Sequence, residues 1–285
     1  MKLVFGGSGY IGQRLCEYLS RKNELLAGTY FHSSKKGLHY FDLEDPDITK
    51  LDVDLNKANY AIICSAMTNI DQCKADQRKS YKINVDGTKK LIEQLFQKNI
   101  FPIFFSSDHV FDGKKGNYSE SDKTCPCTVY GSHKAIIENF LLNTRKPFLI
   151  ARLSKIFGLI LSDKTILTSW AEQFKNDETV RCATDQRLSF TYAGDLMEVL
   201  DLAMEKKLCG LYNMASPESF SRFELATMLK SQLNIKSGKI VPCSINDFNF
   251  LDSRSLDTSL NCKKIIKATG FKFSKMEGCI SILKQ

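Results

Sequence analysis

With 285 residues, 43% of them hydrophobic and 25% charged, the chain has ample material for one large core or for a domain with a smaller partner. A formal net charge of +8 suits an anionic small molecule or a nucleic acid, but the basic residues are scattered, and no dense Lys/Arg tract with interleaved aromatics argues for nucleic acid. Ten cysteines without a Cys-x-x-Cys, Cys125-Pro126-Cys127 being the only close pair, and four widely spaced histidines argue against a disulfide framework and against a metal site.

The N-terminus enters an apolar run at once, without a signal-peptide pattern, and no apolar stretch approaches the roughly 20 residues that span a bilayer. Reduced thiols, a cytoplasmic location and no membrane association are expected. Residues 2–5 read as a buried parallel strand. Gly6-x-x-Gly9-x-x-Gly12 then breaks the run, and residues 11–20 carry helical periodicity through Ile11, Leu15 and Leu19. Strand, glycine turn and helix are the context of a dinucleotide-binding motif, in which pyrophosphate meets the helix N-terminus; a plain glycine-rich turn is the bland alternative. Gly6, Ser8, Gly9, Tyr10, Ile11 and Gly12 are therefore candidate cofactor residues.

Residues 25–30 read as a second strand, whose end would carry Asp or Glu in an NAD enzyme. Here the chain continues Phe31-His32-Ser33-Ser34-Lys35-Lys36, with no acid. Hydroxyls and cations there suit a 2′-phosphate, favouring NADPH over NADH through His32 and Ser33; an ordinary basic loop is the competing reading. Residues 38–41 form a third strand, followed by Asp42-Leu43, and residues 60–64 a fourth, ending in Ser65-Ala66-Met67-Thr68. Residues 80–97 read as one helix, with Ile83, Leu91, Ile92, Leu95 and Phe96 toward the sheet, and residues 101–105 as a fifth strand. Ser106 and Ser107 lie at its carboxyl end, where ligands collect in open α/β sheets.

A helix from Tyr130 to about Leu142 places Tyr130 and Lys134 one turn apart on one face. Alone such a pair usually marks a solvated face. Residues 148–152 give a sixth strand, after which the alternation loosens. Residues 166–173, 192–204 and 220–233 read as helices, the last capped by Ser219 or Ser221, and residues 211–214 as a strand.

Three stretches in order, Gly6-Gly7-Ser8-Gly9-Tyr10-Ile11-Gly12, Ser106-Ser107-Asp108-His109-Val110-Phe111-Asp112-Gly113 and Tyr130-Gly131-Ser132-His133-Lys134, resemble the extended short-chain dehydrogenase/reductase family. The second is similar to Ser-Thr-Asp-Tyr-Val-Phe-Asp-Gly of dTDP-4-dehydrorhamnose reductases, and to the regulatory β subunit of methionine adenosyltransferase. The resemblance implies an α/β, Rossmann-type doubly wound parallel sheet over residues 1–154. It also implies a smaller α/β substrate-binding part over 155–285, with segments returning to the first.

As to function, it implies NAD(P)H-dependent reduction of a 4-keto sugar nucleotide, with Ser107, Tyr130 and Lys134 catalytic and with Lys134 and Tyr130 also meeting the cofactor. Asp42 and Leu43 would border the adenine, and Ser65 and Ala66 the cofactor backbone. Asn84, in Asn84-Val85-Asp86-Gly87-Thr88, would help place the lysine, or be a solvated helix residue.

A lysine ammonium and the oxidised nicotinamide ring are expected to lower the Tyr130 pKa from the ordinary phenol value of about 10. Asp108, His109, Lys155 and Arg187 would face the substrate, Arg187 lying in Thr184-Asp185-Gln186-Arg187, which matches a further family segment. His109 stands where sugar-nucleotide dehydratases carry Glu, which disfavours dehydration. His109 and Lys155 also replace the Tyr and Trp that meet the sugar in rhamnose enzymes. A non-catalytic NADP-binding regulatory subunit, an epimerase and a homodimeric assembly are left open.

Overall fold

The computed structural model describes residues 1–24 and 26–283. Twelve strands occur among them: β1 (Lys2–Phe5), β2 (Leu26–Tyr30), β3 (Leu38–Tyr40), β4 (Tyr60–Ile63), β5 (Phe101–Ser107), β6 (Leu149–Leu153), β7 (Lys155–Phe157), β8 (Thr179–Ala183), β9 (Arg187–Tyr192), β10 (Gly210–Asn213), β11 (Ser219–Ser221) and β12 (Lys239–Cys243). The α-helices are α1 (Tyr10–Arg21), α2 (Ile70–Ala75), α3 (Gln77–Tyr81), α4 (Thr88–Gln97), α5 (Val129–Leu142), α6 (Ile166–Lys175), α7 (Ala193–Glu205), α8 (Arg222–Gln232), α9 (Lys263–Thr269) and α10 (Met276–Leu283). Leu25, read as the start of the second strand, lies outside the described residues. The chain forms two compact units, the first made of Met1–Val110, Thr124–Arg152 and Lys207–Tyr212, the second of the intervening and following residues.

The first unit is built on a seven-stranded sheet in the order β3-β2-β1-β4-β5-β6-β10. The pairings β2/β3, β1/β2, β1/β4 and β4/β5 are parallel. This is the expected doubly wound α/β architecture, whose direction of strand addition reverses between β1 and β4. Leu3, Val4 and Phe5, and facing them Ala61, Ile62 and Ile63, are all buried, because strands covered on both faces need continuous apolar runs rather than alternation. The last strand of the sheet, β10, arrives after α7, bringing Leu211 and Tyr212 into this unit.

The helix expected over residues 80–97 is interrupted. Lys82–Gly87 forms a π-helical turn between α3 and α4. Two contacts accompany the widened turn. Gly87 packs so closely on Leu43 that a Cβ there would lie 1.7 Å from the Leu43 carbonyl oxygen. Asn84, three residues earlier, is buried and turns its amide onto the backbone of Met67. Such turns are frequent at functional sites.

The second unit holds a sheet β11-β9-β7, antiparallel between β9 and β11 and parallel between β7 and β9, and a parallel pair β8/β12. Helices α6, α8 and α10 cover a core around Phe157, Trp170, Phe174, Phe190 and Leu225. Ser221, not Ser219, caps α8: it accepts from the Glu224 N–H at 3.0 Å, and Glu224 returns the bond to the Ser221 N–H at 2.7 Å. The excursion over residues 111–123 is held by Phe111 stacked on Tyr118 at 4.1 Å, and by the Tyr118 hydroxyl donating to Asp112 at 2.5 Å. All ten cysteines are free thiols. No described helix is long and apolar enough to cross a membrane.

Candidate active site

The glycine turn joins β1 to α1 at the point of strand reversal. Gly6 adopts φ +88°, and a Cβ on it would lie 2.8 Å from the Ser65 nitrogen, so the loop after β4 closes directly on the turn. A Cβ on Gly12 would stand 2.1 Å from the Gly6 carbonyl oxygen, so only glycine lets α1 start so near the strand. Gly9 donates its N–H to the Gly6 carbonyl at 3.0 Å and caps α1 without a side-chain bond. The first N–H groups of that helix have no acceptor within it and suit an anion. Ser8, Tyr10 and Ile11 lie at this turn, and Ser65 and Ala66 border it.

His32 and Ser33 are exposed on the loop after β2. From the same loop, Lys35 reaches back to α1, donating to Gln13 at 2.5 Å, which brings a cation beside the helix that starts at the turn. Asp42 accepts from the Glu44 N–H at 2.7 Å, while Leu43 is buried against Gly87. The turn, the cation and the small-residue loop together fit an adenine dinucleotide carrying an extra phosphate.

Ser107, Tyr130 and Lys134 converge at the carboxyl end of β5. Thr128 starts α5 by accepting from the Gly131 N–H at 2.9 Å. The helix then approaches the turn after β5 so closely that a Cβ on Gly131 would lie 2.0 Å from the His109 carbonyl oxygen. Lys134 donates Nζ to the Phe105 carbonyl at 2.8 Å and lies 4.6 Å from the centre of the Phe104 ring and 5.7 Å from that of Tyr130. Ser107 donates to Asp108 at 3.0 Å and accepts from the His109 N–H at 3.2 Å. The His109 ring meets the Tyr130 ring edge-on at 6.0 Å between centroids.

Burial pushes Lys134 down to about 8, opposed by Cys64, Cys73 and Glu138. It pushes Tyr130 the other way. Loss of water raises the phenol first and the Asp108 charge adds to it, against the Ser107 hydrogen bond. The lowering expected for Tyr130 rested on two cations, one of them the oxidised cofactor; in the protein alone the direction is reversed, because desolvation of a phenolate dominates.

Residues 1–282 match the family described as RmlD substrate binding domain. The chain belongs to that family. The dTDP-4-dehydrorhamnose reductase of Aggregatibacter actinomycetemcomitans is 28% identical over 303 residues, covering 99% of this chain and 97% of that protein. A hypothetical dTDP-4-dehydrorhamnose reductase from Sulfolobus tokodaii has a TM-score of 0.84 at 28% identity, over 98% of this chain and 99% of that one. The dTDP-4-dehydrorhamnose reductase of Bacillus anthracis, solved in complex with NADP, gives 0.83 at 22% identity, over 98% of this chain and 96% of that one, and shares the fold.

Lys155 opens β7 in the second unit and is exposed. Arg187 opens β9 there, with its guanidinium engaged: NH1 donates to the Ser219 carbonyl at 2.6 Å and NH2 to both carboxylate oxygens of Glu224 at 2.8 Å. Its observed contacts are thus structural ones, on the cap of α8.

The structure excludes one of the two readings of Asn84, and it adds Cys73, Glu138 and Arg152, which escaped the sequence reading. Asn84 is not a solvated helix residue. It accepts from the Met67 N–H and donates to the Met67 carbonyl, each at 2.8 Å, clamping the loop that follows β4. Cys73 donates to that same carbonyl at 3.3 Å. Further along α5, Glu138 accepts from Ser106 and Arg152 in a fully buried group. Arg152 itself was the available signal, since a charge inside the apolar run of residues 148–153 requires a buried partner. Gly131→Ala tests the close approach of α5. The nearest atom is backbone and cannot swing away, so the melting temperature should fall by about 3–10 °C, the scale of an overpacked core site. A thermal melt of the variant checks this.

Proposed function

We propose that this chain reduces a 4-keto sugar nucleotide with NADPH. The observation that carries the reading is the convergence of Ser107, Tyr130 and Lys134 at the carboxyl end of β5, in the unit whose glycine turn suits a dinucleotide. Matching reductases along nearly the whole chain support it. NADPH would be held by the turn of Gly6, Gly9 and Gly12, by Ser65 and Ala66, and by Lys134 at the nicotinamide end; His32, Ser33 and Lys35 would meet the 2′-phosphate. When bound, it supplies the hydride.

The residues of the chain do the rest. The Ser107 hydroxyl turns from Asp108 to donate to the substrate carbonyl oxygen as negative charge develops there. The Tyr130 hydroxyl gives its proton to that oxygen. With its pKa raised, the phenol is fully protonated at neutral pH and ready as an acid. The Lys134 ammonium stabilises the phenolate left behind. Asp108 and His109 line the turn next to the reacting carbonyl, and His109 in place of a phenol gives a smaller ring there. The family resemblance assigns Lys155 to the sugar.

Oxidation of NADPH across a panel of 4-keto sugar nucleotides tests the function directly. At least one member should be turned over, and Tyr130→Phe should lower that turnover about 10²-fold while leaving NADPH binding intact. Binding of NADPH with no turnover on any member would return the chain to the regulatory-subunit reading.

The pH dependence has a defined sign. Lys134 is charged below its depressed pKa and loses its proton as pH rises through about 8. The ratio kcat/KM reports free-enzyme ionisations, so it should be level at neutral pH and fall above that value. Tyr130, raised rather than lowered, does not set the limb. A profile flat to pH 9.5 would remove Lys134 from the mechanism.

Cofactor preference is tested by Lys35→Ala combined with Lys36→Ala. Affinity for NADPH should drop about tenfold, the scale of one charge-assisted contact, with NADH affinity unchanged. Equal losses for both cofactors, measured by fluorescence titration, would show that the loop does not read the 2′-phosphate.

A further inference from the structure

The catalytic groups come from two separate elements. Ser107 ends β5, while Tyr130 and Lys134 ride on α5. Their mutual distance therefore depends on how α5 is fixed along the sheet. Apolar contacts such as those of Ile137 and Leu141 bury the helix but tolerate small slips along its axis. A directional polar contact does not.

Glu138 makes such a contact with two strands at once. Its Oε1 accepts from the Ser106 hydroxyl at 2.5 Å and from Arg152 Nε at 2.9 Å, while Oε2 accepts from Arg152 NH2 at 2.6 Å. Ser106 immediately precedes Ser107 on β5, and Arg152 lies on β6. Tyr130, Lys134 and Glu138 are spaced four residues apart, so the anchor and the two reacting groups lie along one stripe of the helix. Ser106, Glu138 and Arg152 are 3%, 1% and 2% exposed, so water does not compete for these bonds. Stability alone is a poor reason for such a group, since well-packed apolar residues replace buried ion pairs at little cost or with gain. What the fork of Arg152 on Glu138 adds is fixed geometry.

We infer that the Ser106–Glu138–Arg152 group is the positioning device that holds Tyr130 and Lys134 in register with Ser107. This rests on the reductase reading for its catalytic consequence. None of the three is a catalytic residue; each acts through the elements it joins. The Glu138 carboxylate, one turn from Lys134, also favours the ammonium against its burial.

Ser106→Ala is the test, because it removes the strand-to-helix bond and leaves Glu138 and Arg152 paired. Turnover should fall about 10- to 100-fold, the scale of a misplacement below 1 Å. The KM and Kd for NADPH should stay within about twofold, because the glycine turn is untouched, and Ser106→Thr, which keeps the hydroxyl, should recover most of the turnover. A second readout needs no substrate. The ¹³Cζ resonance of Tyr130, assigned by its loss in Tyr130→Phe, should move in Ser106→Ala and return in Ser106→Thr.

Parent-level turnover with an unmoved Tyr130 resonance in Ser106→Ala overturns the inference, as does a fall in turnover that tracks a fall in melting temperature and leaves the resonance in place. If the parent binds NADPH but reduces no sugar nucleotide, the reductase reading fails, and the resonance alone decides the positioning role.

Discussion

An ammonium buried at Lys134 is the constraint around which the first unit is arranged. With 5% of its surface exposed, it has lost nearly all its water, and an unpartnered charge in that position would neutralise instead. The fold answers with the Phe105 carbonyl at 2.8 Å and the face of Phe104 at 4.6 Å, both from β5. For these to serve, α5 must lie close on the end of that strand, and Gly131 against the His109 carbonyl is what closeness requires. The carboxylate one turn further along, Glu138, helps the ammonium but is itself buried, and so requires Arg152 from the next strand. Each buried charge thus calls in the next, until the chain of requirements ends in a paired fork. Removing one member of such a pair costs about 3–5 kcal/mol, because the other remains charged and dry.

The same dryness moves Lys134 and Tyr130 in opposite directions. Burial pushes Lys134 down to about 8 and pushes the Tyr130 phenol up. Both shifts favour the neutral forms, so the site at rest stores a proton on Tyr130 and holds the Lys134 ammonium only loosely. The phenol therefore keeps its proton through the range in which Lys134 titrates. Asp108 adds to the tyrosine shift while accepting from Ser107, so the carboxylate keeps the proton in place and orients the hydroxyl beside it.

What was legible in the sequence follows the range of the interactions. Gly6, Gly9 and Gly12 stand in local sequence context with the strand and helix they join, and Tyr130 with Lys134 needs only the pitch of one helix. The strands of the large sheet were readable because burial on both faces forces continuous apolar runs, as in residues 2–5 and 60–63. Glu138, Ser106 and Arg152 come from α5, β5 and β6, and no spacing rule relates them; only the lone charge of Arg152 in an apolar strand hinted at a partner. The π turn at Lys82–Gly87 carries no periodic signal, since its shape accompanies Gly87 meeting Leu43 and Asn84 meeting Met67, contacts distant in sequence. The second unit's strands β7 and β11 are three residues each, too short for alternation to register.

The turn after β5 divides its labour between main chain and side chains. At His109 the carbonyl oxygen packs on Gly131 and the N–H donates to Ser107, so the backbone of this residue is fixed by α5 on one side and by the Ser107 hydroxyl on the other. Neither contact depends on which side chain the position carries. The ring, by contrast, stands edge-on to Tyr130. Further along, Phe111, Asp112 and Gly113 of the same motif serve the second unit, with Phe111 stacked on Tyr118 and Gly113 at φ +72° against Ser255. A single motif of eight residues thus ends β5, packs on α5 and starts the second unit.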